Sequence, residues 1–131
     1  MKIVVIDGQG GSLGKAVVEQ LVKKFPVDSI YCIGTNSTAT AAMLKGGAKL
    51  GATGENPVVV ACRDADYIIG PIGIIMADSM LGEISPAMAH SIGASNAQKV
   101  LIPINRCVTV AGVQEMSMND YITLAVESIK A

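Results

Sequence analysis

Tryptophan is absent from this 131-residue chain, phenylalanine occurs once and tyrosine three times. The interior must therefore be filled by Val, Ile, Leu, Ala and Met, the composition of sheets covered by helices on both faces. Basic clusters are missing too. Nothing exceeds Lys23-Lys24, and the net charge of −1 comes from scattered residues of both signs. That argues against nucleic acid or an anionic membrane surface as a partner. The longest unbroken apolar runs are about five residues, far below the ~20 that span a bilayer. Met1-Lys2 leads straight into a strand-like run with no signal-peptide stretch, so a cytoplasmic location is expected. Cysteines number three, an odd count at wide spacing, which excludes a disulfide framework and leaves Cys32, Cys62 and Cys107 as reduced thiols. They and His90, the only histidine, lack the close ligand spacing of a structural zinc site, so no metal is expected.

What remains is apolar patterning at the scale of one domain, residues 1–131. "KIVVID" (2–7) is a buried strand closed by Asp-Gly, and the segment from Ser12 to about Lys24 is a helix with Leu13, Ala16, Val17 and Leu21 on one face. Pro26 stops that helix. "SIYCIG" (29–34) is a second strand, and "NSTATAAMLKGG" is a helix with Ser/Thr caps and a terminal glycine pair. "AKLGATG" (48–54) is a weak third strand. "ENPVVVACRDA" reads as strand by its valines and as helix by Pro57, which suits a first helical position; the need for a crossover favours the helix. "DYIIGPIGI" (66–74) is a fourth strand. Ser85-Pro86 open a helix to about Gly93, and "QKVLIPI" (98–104) is a fifth strand. "CVTVAG" (107–112) is a sixth. Ser117-x-x-Asp120 is a capping-box pattern before a last helix with Ile122, Ala125, Val126 and Ile129 on one face. This alternation specifies an α/β fold, a doubly wound parallel sheet of five or six strands.

In such a sheet the strand ends at Asp7, Gly34, Gly70 and Ile104 share the edge where ligands bind. The loop "DGQGGSLG" follows strand 1. Gly8 allows the turn, Gly10 and Gly11 open the backbone to a phosphate, and Gly14 lets the helix approach the sheet. The helix start at Ser12 adds free N–H groups and a partial positive charge. The spacing departs from G-x-G-x-x-G, since Leu13 holds the third place and Gly14 comes one residue late. The Lys-Ser/Thr pair of a P-loop is absent, so Walker-type hydrolysis is not expected. Strand 2 ends in "GTNST" without the acid that binds the ribose of NAD. Thr35, Asn36 and Ser37, with Thr38, have hydroxyl and amide groups for a 2′-phosphate or another phosphate. Their alternative role is to cap the following helix.

The motifs "IDGQGG", "GTNSTAT", "GATGENP", "GPIGI", "LGEISPAMA" and "IPINRC" together resemble a family of small bacterial proteins catalogued as a domain of unknown function. The resemblance covers nearly the whole chain and implies a Rossmann-like single domain. It carries over no catalytic residue.

The candidate ligand contacts are Gly8, Gly10, Gly11, Ser12, Thr35, Asn36, Ser37, Gly70, Asn105 and Arg106. Arg106 follows strand 5 and has a planar fork suited to phosphate or carboxylate. Its alternative is a loop ion pair. Cys107 beside it is a candidate reactive thiol, while His90 suits a helix surface. Asp78 and Glu83 read as helix caps rather than acid/base groups. Met76, Met80, Leu81, Ile84 and Met88 form an apolar stretch that is either core or a subunit interface, and a homo-oligomer is expected. Three functions remain open. The first is binding of a nucleotide, dinucleotide (NADP or another) or other small phosphate-bearing ligand. The second is an oligomeric enzyme on a phosphorylated metabolite, and the third is a structural protein whose loop is only a turn. A self-contained dehydrogenase is disfavoured, because such domains normally bring a second domain to hold the substrate, unless the site is completed across an oligomer interface.

Overall fold

A computed structural model describes residues 1–105 and 107–130. Its strands are β1 (Ile3–Asp7), β2 (Ile30–Gly34), β3 (Leu50–Thr53), β4 (Tyr67–Pro71) and β5 (Gln98–Ile102), and its helices are α1 (Ser12–Leu21), α2 (Ser37–Lys45), α3 (Glu55–Cys62), α4 (Pro86–Ala94) and α5 (Met118–Glu127). All strand pairings are parallel, in the order β3-β2-β1-β4-β5. This is the Rossmann-like arrangement: the chain winds outward from β1 through β2 and β3, then returns to β4 on the other side.

The β1 residues Ile3, Val4, Val5 and Ile6 are wholly buried because both faces of the sheet are covered. Alternation sends Ile3 and Val5 toward Val17, Leu21, Met43, Ile122 and Val126 of α1, α2 and α5. Val4 and Ile6 turn toward Val58, Cys62, Met88 and Ile92 of α3 and α4. The C-terminus is fastened by Tyr67, whose hydroxyl accepts from Lys130 N at 3.1 Å and donates to Lys130 O at 3.3 Å.

The segment 55–62 is a helix, as the crossover between parallel β3 and β4 demands. Pro57 occupies its third position rather than its first; N–H groups throughout that first turn lack an intrahelical acceptor, so proline costs nothing there. Ser117 Oγ caps α5 by accepting from Asp120 N at 3.1 Å.

The expected sixth strand is corrected. Residues 107–112 are turn and irregular backbone, with Thr109, Val110 and Ala111 exposed. A further parallel strand beside β5 would need a crossover of about a dozen residues. Only residues 103–106 separate β5 from this segment. Instead the chain is drawn back to α5 by Tyr121, whose hydroxyl donates to Gln114 O at 2.7 Å and accepts from Met116 N at 3.1 Å.

Gly70 follows Ile69, which pairs with Val5 in the β1–β4 ladder, and packs against the Ile6 backbone. A Cβ there would fall 2.3 Å from the Ile6 carbonyl oxygen, so β4 could not keep its place against β1. Gly70→Ala should therefore destabilise the protein by about 1–3 kcal/mol, the cost of overpacking a rigid interior. Urea unfolding measures this. Stability within 0.5 kcal/mol of the parent, roughly the range of a surface substitution, would contradict the packing described.

Candidate functional site

The glycine loop is held from below by the last residue of β1. Asp7 is 5% exposed, and its carboxylate accepts from Gly8 N at 2.8 Å and from Gly14 N at 2.7 Å. One side chain thus ties both ends of the loop and caps α1, which has no cap from its own N-cap residue, Gly11. Burial raises the Asp7 pKa above the usual aspartate value. The bonds from Gly14 and Gly8 oppose that rise, and the nearby Glu83 charge adds to it.

The glycines that geometry requires lie three apart. At Gly8 a Cβ would meet Thr35 Oγ1 at 2.6 Å, and at Gly14 it would meet Met43 Sδ at 2.7 Å and Asp7 Cβ at 2.8 Å. Gly11 has φ +75° and lies against the Ala39 backbone. The pattern is G-x-x-G-x-x-G, in step with the turn and the first helical residues. Gly10 differs: nothing lies within 4 Å of its Cβ position.

Gly11 N donates to Gly8 O at 3.0 Å and Gln9 N to Glu83 Oε1 at 2.8 Å. Among the described residues, no acceptor pairs with the N–H groups of Gly10, Ser12 or Leu13. These three face a cavity of about 860 Å³ lined by Asp7, the loop from Gly8 to Leu13, Pro71, Gly73, Met80, Leu81, Ile104, Asn105 and Cys107. It lies where the chain reverses between β1 and β4, the position at which open α/β sheets bind ligands.

Of the residues singled out in the sequence, Gly8, Gly10, Gly11, Ser12 and Asn105 line this cavity. Gly70 is buried within β4 and is not part of its lining. Ser37 lines a separate depression with Gly10, Lys15, Thr38 and Lys45. Arg106 lies outside the described residues. Cys107 is exposed at the cavity wall, and its N–H donates to Asn105 Oδ1 at 2.7 Å. Cys32 and Cys62 are buried on opposite faces of the sheet, and burial pushes the Cys62 thiol up to about 11. His90 is on the exposed side of α4.

Thr35 and Asn36 stand at the end of β2 with their donors engaged. Thr35 Oγ1 donates to Glu83 Oε1 at 2.5 Å and Asn36 Nδ2 to the same oxygen at 2.9 Å. Asn36 also caps α2 through Oδ1, which accepts from Ala39 N at 2.9 Å. Glu83 is therefore not a helix cap, and this corrects the sequence reading. It reaches across the sheet edge from the segment between β4 and α4, a contact that no local pattern announces. Desolvation raises its pKa, but the bonds from Thr35, Gln9 and Asn36 outweigh that and hold it below the usual glutamate value.

The Met-rich stretch divides. Ile84 and Met88 are core, Met76 and Met80 are half-buried, and Leu81 projects at the tip, 97% exposed. No helix of the described residues is long and apolar enough to cross a membrane.

A family model described as "Domain of unknown function (DUF3842)" matches residues 2–131. No curated protein matches the chain. Among solved structures, Citrobacter sp. triphenylmethane reductase, described in connection with bioremediation of triphenylmethane dyes, aligns at 16% identity with a TM-score of 0.55. The alignment covers 96% of this chain and 64% of the reductase, so the chain spans less than two thirds of that protein. At this identity the likeness establishes the fold alone.

The lowered Glu83 pKa fixes the sign of one pH effect. Its stabilisation is complete above the ordinary glutamate value of 4.5 and is lost as pH falls through the lower folded value. Asp7 acts oppositely, since a raised folded pKa favours the fold below the ordinary 3.8 and that advantage disappears as pH rises. In urea unfolding between neutral pH and acid, the stability gap between the parent and Glu83→Gln should shrink below pH 4.5. A gap that stays constant would show that the Glu83 charge does not hold the lock.

Proposed function

The chain thus belongs to the DUF3842 family, whose description assigns no activity, and we propose that it binds a nucleotide or other small phosphate-bearing molecule at the glycine loop. The observation that carries this reading is the set of N–H groups without an acceptor at Gly10, Ser12 and Leu13, three residues that line the cavity. Backbone donors at a helix N-terminus suit a phosphate, because the peptide dipoles add a partial positive charge where the donors already point. The rest of the ligand extends toward Asn105 and Cys107. The Rossmann-like fold supports the same location. A cavity of about 860 Å³ is within the range of small-molecule sites, ~300–1,000 Å³.

An enzyme acting on such a phosphorylated molecule is the second reading. It is favoured by the exposed Cys107, a free cysteine that lines the same cavity as the glycine loop. Asp7 is a poor acid or base for that chemistry because both of its oxygens accept backbone bonds.

Gly10→Val tests the binding reading without disturbing the fold, since the position is open and Gly10 lines the cavity. Titration with inorganic phosphate, followed through the amide resonances of Gly10, Ser12 and Leu13, should show binding in the parent. The variant should bind about tenfold more weakly or worse, the loss of charge-assisted bonds worth ~1.5–3 kcal/mol. Unchanged binding in Gly10→Val, or no response of these amides in the parent, would refute the site.

We further propose a homo-oligomer that covers the exposed Ile75 and Leu81. Light scattering at micromolar concentration should give at least twice the single-chain mass. The mass of one chain would end the idea.

A further inference from the structure

We propose that Glu83 is the specificity-determining residue of this site: it closes the crevice on the β2 side, so the ligand is a phosphomonoester rather than a pyrophosphate-linked dinucleotide. This rests on the phosphate site at the glycine loop and narrows what that site accepts.

A dinucleotide in a doubly wound fold straddles the sheet edge, with its pyrophosphate on the glycine loop and one ribose at the end of β2. Here that end is occupied. Gln9 N, Thr35 Oγ1 and Asn36 Nδ2, three donors that a ribose or its 2′-phosphate would use, converge on Glu83 Oε1 at 2.8, 2.5 and 2.9 Å. The space above the β1 end is filled as well. A Cβ at Gly8 would lie 2.8 Å from Met80 Sδ and 2.9 Å from Glu83 Oε1.

The carboxylate belongs to a built wall and is not a side chain in passing. Asp78 N donates to Ile84 O at 2.7 Å and Ile84 N to Ser79 O at 3.2 Å, closing the segment into a loop whose Ile84 is fully buried. Asp78, Met80 and Leu81 all have positive φ, a shape that non-glycine residues keep only when their surroundings hold them. The cavity opens in the other direction, over Pro71, Gly73 and Asn105, and neither Thr35 nor Asn36 lines it. A terminal phosphate on Gly10, Ser12 and Leu13 therefore has room within this cavity for an organic group toward β4 and β5, while the donors at the end of β2 are taken by Glu83; the depression beside Gly10 that Ser37, Thr38 and Lys45 line is separate from it. The Glu83 charge adds repulsion against a second phosphate placed on the closed side.

The test is a set of titrations of the parent and Glu83→Ala with inorganic phosphate, ribose 5-phosphate, NAD and NADP, read at the Gly10, Ser12 and Leu13 amides. In the parent, ribose 5-phosphate should bind about tenfold or more tightly than either dinucleotide. In Glu83→Ala the ratio of dinucleotide to ribose 5-phosphate affinity should rise about tenfold or more. Either dinucleotide binding the parent as tightly as ribose 5-phosphate overturns the Glu83 assignment while leaving the phosphate site standing, and this needs no variant to fold. An unchanged ratio in a folded Glu83→Ala overturns it too. If none of the four probes moves these amides, the phosphate site falls and the assignment falls with it.

Discussion

The Asp7 carboxylate is the interaction on which the site depends. It sits at the last position of β1 and receives Gly8 N and Gly14 N, the two ends of the glycine loop. Between those anchors the backbone must reverse within a few residues and enter α1 in register with the sheet. The demand for glycine follows from that geometry. Gly14 must pass close to Asp7 itself and to Met43 of α2, and Gly11 must take a left-handed turn against Ala39. With the carboxylate holding the N–H of Gly14, the outward N–H groups of Gly10, Ser12 and Leu13 are the ones left to face the cavity. An internal anion saturates the inner side of the helix start, and the outer side keeps its donors.

A second carboxylate organises the loop from the outside. Glu83 takes Gln9 N, and Asn36 Nδ2 holds the Gln9 carbonyl at 3.0 Å, so both polar backbone groups of Gln9 are fixed. Gln9 has φ +50°, costly for a residue with a side chain, and these two bonds are what offset that cost. Asp7 is buried and its charge is disfavoured by desolvation. Glu83 is half-exposed and its charge is favoured by three donors. Two acids on one sheet edge therefore differ in sign of response because their surroundings differ.

Much of the architecture was legible because it depends on local periodicity. The apolar run of β1, the amphipathic face of α1, the Asn36 and Ser117 caps and the crossover at 55–62 each lie within a window of a dozen residues. The sixth strand misled because Val108 and Val110 have strand propensity, while pairing depends on what lies beside β5. The site was half legible. Gly10, Ser12 and Asn105 follow from their position at strand and helix ends, yet Glu83 meets Gln9 across 74 residues of sequence. The glycine spacing held a clue. Counted as G-x-G-x-x-G, the loop fails at Leu13; counted in threes, Gly8, Gly11 and Gly14 fall where backbone meets backbone or side chain. The absence of an acid at the end of β2 was the other clue, because the donors of Thr35 and Asn36 then require an acceptor from elsewhere.

The stretch from Ile75 to Met88 shows why composition alone blurs such a site. Its apolar residues serve separate ends. Ile84 and Met88 anchor the segment in the α3–α4 layer, Met80 fills the space over Gly8, and Ile75 and Leu81 stand exposed. The buried anchors make the wall rigid enough to present Glu83 at a fixed point, and the polar residue among them gives the wall its chemistry. Removing the anchors and removing the carboxylate are therefore different perturbations, although they are neighbours in sequence. The first loosens the layer beneath the cavity, and the second leaves that layer packed while freeing three donors at the end of β2. On this geometry the asymmetry of the crevice, closed over β2 and open over β4 and β5, comes from one side chain held by a hydrophobic foundation.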